Sequence, residues 1–78
     1  SDVRLSEEMM LCYRLAKALD HARLDDLLRV NYCIDEWLPG KIGYSAVTLL
    51  AKENCREAVE LLLSRGASLD YAVLGAAE

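Results

Sequence analysis

The sequence predicts an all-α protein made of stacked antiparallel helix pairs, an α-solenoid. Apolar residues recur at three- and four-residue spacing along most of the chain, and no segment alternates as a strand would. Residues that cap helices stand at the expected ends of these segments. The same order of features also occurs twice. At 78 residues, 54% of them hydrophobic, the chain forms a single domain (1–78) near the lower size limit for a self-sufficient core.

The first helix is predicted over residues 7–18. Ser6 is the expected N-cap, and Leu5 and Met10 hold the positions of a hydrophobic staple across it. The helix is expected to bury the apolar side chains that follow helical spacing. They are Leu11, Leu15, Ala18 and Leu19.

A second helix is expected from Asp20, its predicted cap, to about Asn31. Its inner face contains Leu24, Leu27 and Leu28. Residues 31–43 then form the longest irregular stretch, and they contain too many apolar side chains for a purely solvated linker. Some of these side chains must pack or contact a partner.

The third helix is predicted from Ala46, with Ser45 as its cap, to about Glu53. Asn54 ends it, because asparagine tolerates the left-handed conformation of a tight corner. The fourth helix is expected over residues 55–65, followed by Gly66 in the left-handed position.

A fifth helix is predicted to begin at Tyr71 with Asp70 as its cap. No C-cap is recognisable before Glu78, so we expect the chain to be part of a longer polypeptide.

The two helix pairs match when the chain is shifted by 35 residues, which brings Leu15-Ala16 onto Leu50-Ala51 and Leu24 onto Val59. Residues 43–70 resemble an ankyrin repeat, through an opening at Gly43-Tyr44-Ser45-Ala46-Val47-Thr48-Leu49-Leu50-Ala51 and a Leu-Leu-x-x-Gly-Ala ending. Residues 5–42 resemble an atypical N-terminal capping repeat, and residues 71–78 the start of a truncated third. The chain is thus similar to the N-terminal part of a longer, degenerate ankyrin array.

This resemblance implies a binding surface on the concave side, formed by the connections and by exposed positions of the first helix in each pair. The corresponding positions are Lys17, Lys41, Ile42, Tyr44, Lys52, Glu53 and Glu78. Trp37 is a further candidate, because tryptophan is enriched among interface hot spots. Alternatively, Trp37 covers the apolar end of the first helix pair.

The function predicted is non-catalytic binding of another protein through the concave face and connecting loops. The alternative is a regulatory or substrate-recruiting module of a larger enzyme or bacterial effector whose active site lies outside this chain. No catalytic residues, metal ligands or cofactor are predicted, because the single histidine, His21, has no nucleophile placed beside it. Self-association through the exposed C-terminal repeat face is also expected.

The net charge limits the classes of partner that are expected, and the cysteines indicate the redox compartment. The net charge is −4 with both signs intermixed, so no basic face for nucleic acid is expected. No apolar run approaches the ~20 residues that cross a bilayer. The three cysteines, Cys12, Cys33 and Cys55, form no zinc-binding pattern and suit small buried side chains in a reducing cytoplasm. Similar degenerate repeats occur in bacterial effectors delivered to a host cytosol.

Overall fold

The computed structural model describes residues 2–78, with side chains from residue 7 onward, and this part of the chain contains helices and no strand. The helices are α1 (Asp2–Lys17), α2 (His21–Val30), α3 (Ala46–Lys52), α4 (Arg56–Ser64) and α5 (Leu69–Ala76). The all-α class is therefore confirmed. Helix α3 is central and packs against α1, α4 and α5, while α1 also contacts α2 and α4.

The first helix begins earlier than its cap signal suggests. It starts at Asp2, so Ser6 lies inside it and the predicted N-cap is wrong. Residues 2–5 contain neither glycine nor proline, and nothing in them stops the helix from continuing through Ser6. The predicted staple depends on the side chain of Leu5, which lies outside the described side chains.

The buried face of α1 also differs from the predicted one. Its buried side chains are Met9, Cys12 and Ala16, whereas Leu11 and Leu19 remain 37% and 38% exposed. Ala18 is exposed as well, and Leu15 is half-buried. Because α3 and α4 both pack on α1, the small residues at positions 12 and 16 allow a close approach that leucine would prevent. Leucine spacing alone therefore predicted the wrong face.

The boundaries of α5 also differ from the predicted ones. Its cap is Ser68, whose Oγ accepts the Tyr71 N–H at 3.4 Å, so the predicted cap Asp70 lies within the helix. The extended backbone of Ser68 (φ −67°, ψ 124°) gives it the geometry that an N-cap requires. The helix also ends at Ala76, with Ala77 as its C-cap, instead of continuing to Glu78.

The internal repeat is visible in the backbone of the two tight corners. Leu19 (φ 56°) and Asn54 (φ 64°) are the only described residues other than glycine with positive φ, and they lie 35 positions apart. In each corner, the left-handed N–H donates to the carbonyl three residues back, and the next N–H donates to the carbonyl five residues back. These bonds are Leu19→Ala16 and Asp20→Leu15 (both 2.9 Å), and Asn54→Ala51 (3.1 Å) and Cys55→Leu50 (2.9 Å). The pairs α1–α2 and α3–α4 thus share one corner geometry.

Replacing Leu19 with glycine is expected to raise the free energy of unfolding by about 0.5–1 kcal/mol, because leucine is strained in the left-handed region and glycine is not. Urea unfolding followed by circular dichroism measures the change. Asn54→Gly is the matched control and should produce a smaller gain, since asparagine already tolerates this conformation. A loss of stability in Leu19→Gly would mean that packing by its leucine side chain outweighs the strain.

Polar contacts link the first helix pair to the second, and the first connection to α5. Arg65, which follows α4, donates to both carboxylate oxygens of Asp25 on α2, at 2.6 Å and 3.2 Å. This bidentate contact lowers the pKa of Asp25. Asp35, in the first connection, accepts the Ser68 N–H at 2.9 Å and so joins that connection to the start of α5.

Helices α3 and α5 cross closely enough that one position excludes any side chain. Gly75 is buried, and a Cβ atom placed on it would lie 2.1 Å from the carbonyl oxygen of Thr48. Non-bonded atoms do not approach so closely, so the position requires glycine while α5 keeps this place.

The connection between α2 and α3 folds back on itself without forming a β-hairpin. The Leu38 N–H donates to the Tyr44 carbonyl at 2.8 Å, and the Lys41 N–H donates to the Leu38 carbonyl at 3.0 Å. Gly40 and Gly43 have positive φ and allow the reversal. We call residues 38–44 the closed loop.

Candidate functional site

Lys17 and Glu53, two of the residues predicted to bind a partner, contact each other. Lys17 ends α1, and its Nζ lies 3.1 Å from Glu53 Oε1 just after α3. The Tyr13 hydroxyl donates to the same carboxylate, 2.7 Å from each oxygen. The Lys17 Nζ also donates to the Tyr13 hydroxyl at 3.2 Å. This cluster joins the C-terminal ends of the first and third helices.

A second cluster forms around Glu78, which follows α5. Its carboxylate accepts a hydrogen bond from the Tyr44 hydroxyl and lies 3.5 Å from Lys52 Nζ. The Lys41 Nζ lies 5.0 Å from the centroid of the Tyr44 ring. Lys52 of the second cluster and Glu53 of the first are consecutive at the end of α3, and we call the two clusters together the charged strip. It consists of Tyr13, Lys17, Lys41, Tyr44, Lys52, Glu53 and Glu78.

The electrostatics of the charged strip keep both of its carboxylates ionised. The hydrogen bond from Tyr13, and then that from Lys17, lowers the pKa of Glu53. The hydrogen bond from Tyr44 likewise lowers the pKa of Glu78. At neutral pH the strip therefore carries these two negative charges beside the positive charges of Lys17 and Lys52. Such a surface can recognise a partner through hydrogen bonds and charge.

The other two residues predicted to bind a partner, Ile42 and Trp37, do not belong to the charged strip. Ile42 is 79% exposed at the tip of the closed loop, next to Lys41 in sequence, and offers an apolar contact beside the strip. Trp37 lies outside the strip. Its ring meets Tyr71 of α5 edge to face, with centroids 6.2 Å apart, so Trp37 packs on the fifth helix.

The sequence analysis did not identify Tyr13 in the charged strip or the residues that surround Trp37. Tyr13 belongs to the strip, and its spacing of one helical turn from Lys17 could have indicated it. Tyr32, Asp35, Glu36 and Tyr71 surround a pocket with Trp37. No local pattern links Tyr71 to the other four, because it joins them only through the packing of α5.

The side chains with acid–base or nucleophilic groups near the first corner and in the core have structural contacts. Asp20 caps α2 by accepting the Arg23 N–H at 3.2 Å, and its neighbour His21 is exposed. Contact with Cys33, together with burial, raises the pKa of the Cys12 thiol, which keeps it protonated and a poor nucleophile. In residues 2–78 no group of three or more histidine, cysteine or acidic residues is arranged to hold a metal ion.

The C-terminal face of the second helix pair bears a groove of about 340 Å³, whose lining combines small and apolar residues such as Ala51 and Val59 with the charged Arg56 and Glu60. Their equivalents in the first pair, Ala16 and Leu24, are fully buried. Val73 of α5 is 58% exposed on the same helix as Ala76, which also lines the groove. The predicted self-association would use this face.

Within the described part of the chain, no helix is both long and apolar enough to cross a membrane. Comparison of the chain with protein-family models, curated proteins and solved structures gives no match.

Proposed function

We propose that this chain is a non-catalytic protein-binding scaffold with an ankyrin-like arrangement of helix pairs, and that the charged strip and Ile42 contact the partner protein. The observation that carries the proposal is the network of contacts within the strip. Its side chains come from α1, the closed loop, the end of α3 and the residue two beyond α5, yet each of them contacts another member of the strip.

Stability alone is a weak reason for such a surface. Exposed ion pairs contribute at most about 1 kcal/mol each, and many contribute nothing measurable. Side chains held in fixed positions do, however, provide specificity, because a partner must match their charges. Ile42 and the Tyr44 ring add apolar contact area next to these charges, as interfaces with a polar rim require.

Two features support the ankyrin-like arrangement. Leu19 and Asn54 hold the left-handed corner in each helix pair, where the repeat places glycine. The Gly-Ala ending follows α4, with Gly66 at φ 96° and Ala67 buried against the core. Both features lie where the repeat pattern predicts them.

The test compares two triple variants with the same change in charge and polarity. The strip variant carries Lys41→Glu, Ile42→Ser and Lys52→Glu. The control carries Arg23→Glu, Val30→Ser and Arg29→Glu on α2. The control matches because Val30 is 77% exposed, against 79% for Ile42. Both arginines are exposed, and each lies near an acidic residue, Arg23 near the N-cap Asp20 and Arg29 near Asp26 of α2.

Each protein is immobilised, exposed to a lysate of its source organism and analysed by quantitative mass spectrometry, after circular dichroism has shown equal helicity. The strip variant is expected to lose at least about 90% of any specific partner, corresponding to about 1.4 kcal/mol. The α2 variant should retain it. Equal retention by both variants would place the binding surface elsewhere.

A further inference from the structure

Three aromatic rings line a pocket beside the connection that follows α2. Its volume is about 310 Å³, and the rings belong to Tyr32, Trp37 and Tyr71. Tyr32 is 94% exposed, so its ring makes little contact within the fold, and Trp37 is 42% exposed. Aromatic surface that the core leaves open at a pocket is available to a ligand.

The wall of this pocket is negatively charged. Asp35 and Glu36 line it, and none of its lining residues in the described chain is basic. Arg65 lines the adjoining pocket, but its guanidinium donates to both oxygens of Asp25 and so is held toward α2. The charge of the two carboxylates is therefore not neutralised by a basic residue lining this pocket.

The same wall is held in place by contacts to the core. Asp35 Oδ1 accepts the Ser68 N–H at 2.9 Å. The Glu36 N–H donates to the carbonyl of Cys33 at 3.3 Å, and Cys33 itself is fully buried. The pocket is thus formed without a ligand.

Aromatic faces and carboxylates both attract a cation, the rings through their quadrupole and the carboxylates through charge and hydrogen bonds. Ile34, half-buried in the same wall, provides an apolar surface for an alkyl stem. We propose that this pocket binds the side-chain ammonium of a lysine, with or without N-methyl groups, presented by a partner peptide. Its volume lies at the lower end of the range for ligand pockets, which suits a side chain better than a larger molecule.

This site shares no residue with the charged strip. The proposal therefore does not rest on the function proposed for the strip, and each can fail separately.

The first test uses the fluorescence of Trp37, the single tryptophan of the chain. Five-residue alanine peptides carry lysine, dimethyl-lysine, trimethyl-lysine or the neutral analogue norleucine at the centre. At least one ammonium peptide is expected to give a saturable change that weakens as salt is added, and norleucine should give none. The lysine form that binds most tightly identifies the form recognised.

The second test uses variants that leave the fold intact. Tyr32→Ala removes a ring that is 94% exposed, and Glu36→Gln removes one charge. Each is expected to weaken binding at least about fivefold. Glu60→Gln is the control, because it removes the same charge from an exposed position on α4.

Three results would overturn the proposal. One is the absence of saturable binding by every ammonium peptide. Another is equal binding of the norleucine peptide, which would make the pocket a purely apolar surface. The third is an equal loss in Glu60→Gln and Glu36→Gln, which would indicate attraction by the overall charge of the chain.

Discussion

Alanine at position 75 is expected to lower the free energy of unfolding by about 2 kcal/mol and to loosen α5. Its Cβ would lie 2.1 Å from the Thr48 carbonyl oxygen, a backbone atom that cannot turn aside. Overpacking of this kind typically costs about 1–3 kcal/mol. The gain of about 1 kcal/mol from replacing a helical glycine offsets only part of a collision with backbone.

Urea unfolding measures this loss, and hydrogen exchange of the α5 amides locates it. Trp37 fluorescence offers a second local signal, since its ring contacts Tyr71 of α5. Gly40→Ala is the control, because a Cβ there has no neighbour within 4 Å and the change costs only the strain of its positive φ. If Gly75→Ala is no less stable than Gly40→Ala, α3 and α5 do not cross as closely as described.

Valine at position 48 is expected to destabilise the fold by about 2 kcal/mol. Thr48 is fully buried at the start of α3. Its hydroxyl donates to the Gly43 carbonyl at 2.7 Å and accepts the Ser45 N–H at 3.2 Å. Valine keeps the shape but removes both hydrogen bonds, each of which contributes about 0.5–1.5 kcal/mol. The Gly43 carbonyl and the Ser45 N–H then keep only the bond that they make to each other at 3.1 Å.

Thr48→Ser distinguishes the contribution of the hydroxyl to stability from that of the methyl group at the same position. Serine keeps both hydrogen bonds and loses one methyl, so it should cost about 1 kcal/mol. Thermal and urea unfolding of the two variants provide the comparison. A valine variant as stable as the unsubstituted chain would show that the hydroxyl contributes nothing at this helix start.

Where local chemistry decides the backbone, the sequence predicted part of the fold, although the predicted caps Ser6 and Asp70 lie inside their helices. Ser45 and Asp20 are N-caps as expected, and Gly66 is left-handed. Asn54 holds the left-handed corner that was predicted for it. These features depend on one or two neighbouring residues, so a single sequence contains the information.

Features that depend on packing were not predictable in this way. The buried face of α1 follows Cys12 and Ala16 because α3 and α4 pack there, although the leucines suggested another face. The close crossing at Gly75 depends on a carbonyl in α3. The repeat pattern predicted single positions of the charged strip. Which of these residues contact each other, such as Lys17 and Glu53, depends on how the helices pack.

The closed loop has a consequence for association. The hydrogen bond between the Leu38 N–H and the Tyr44 carbonyl restrains the segment that carries Lys41 and Ile42. A loop ordered before encounter has less conformational freedom to lose when a complex forms, so more of its contact energy remains as affinity. A short segment without strands can in this way be preorganised for binding.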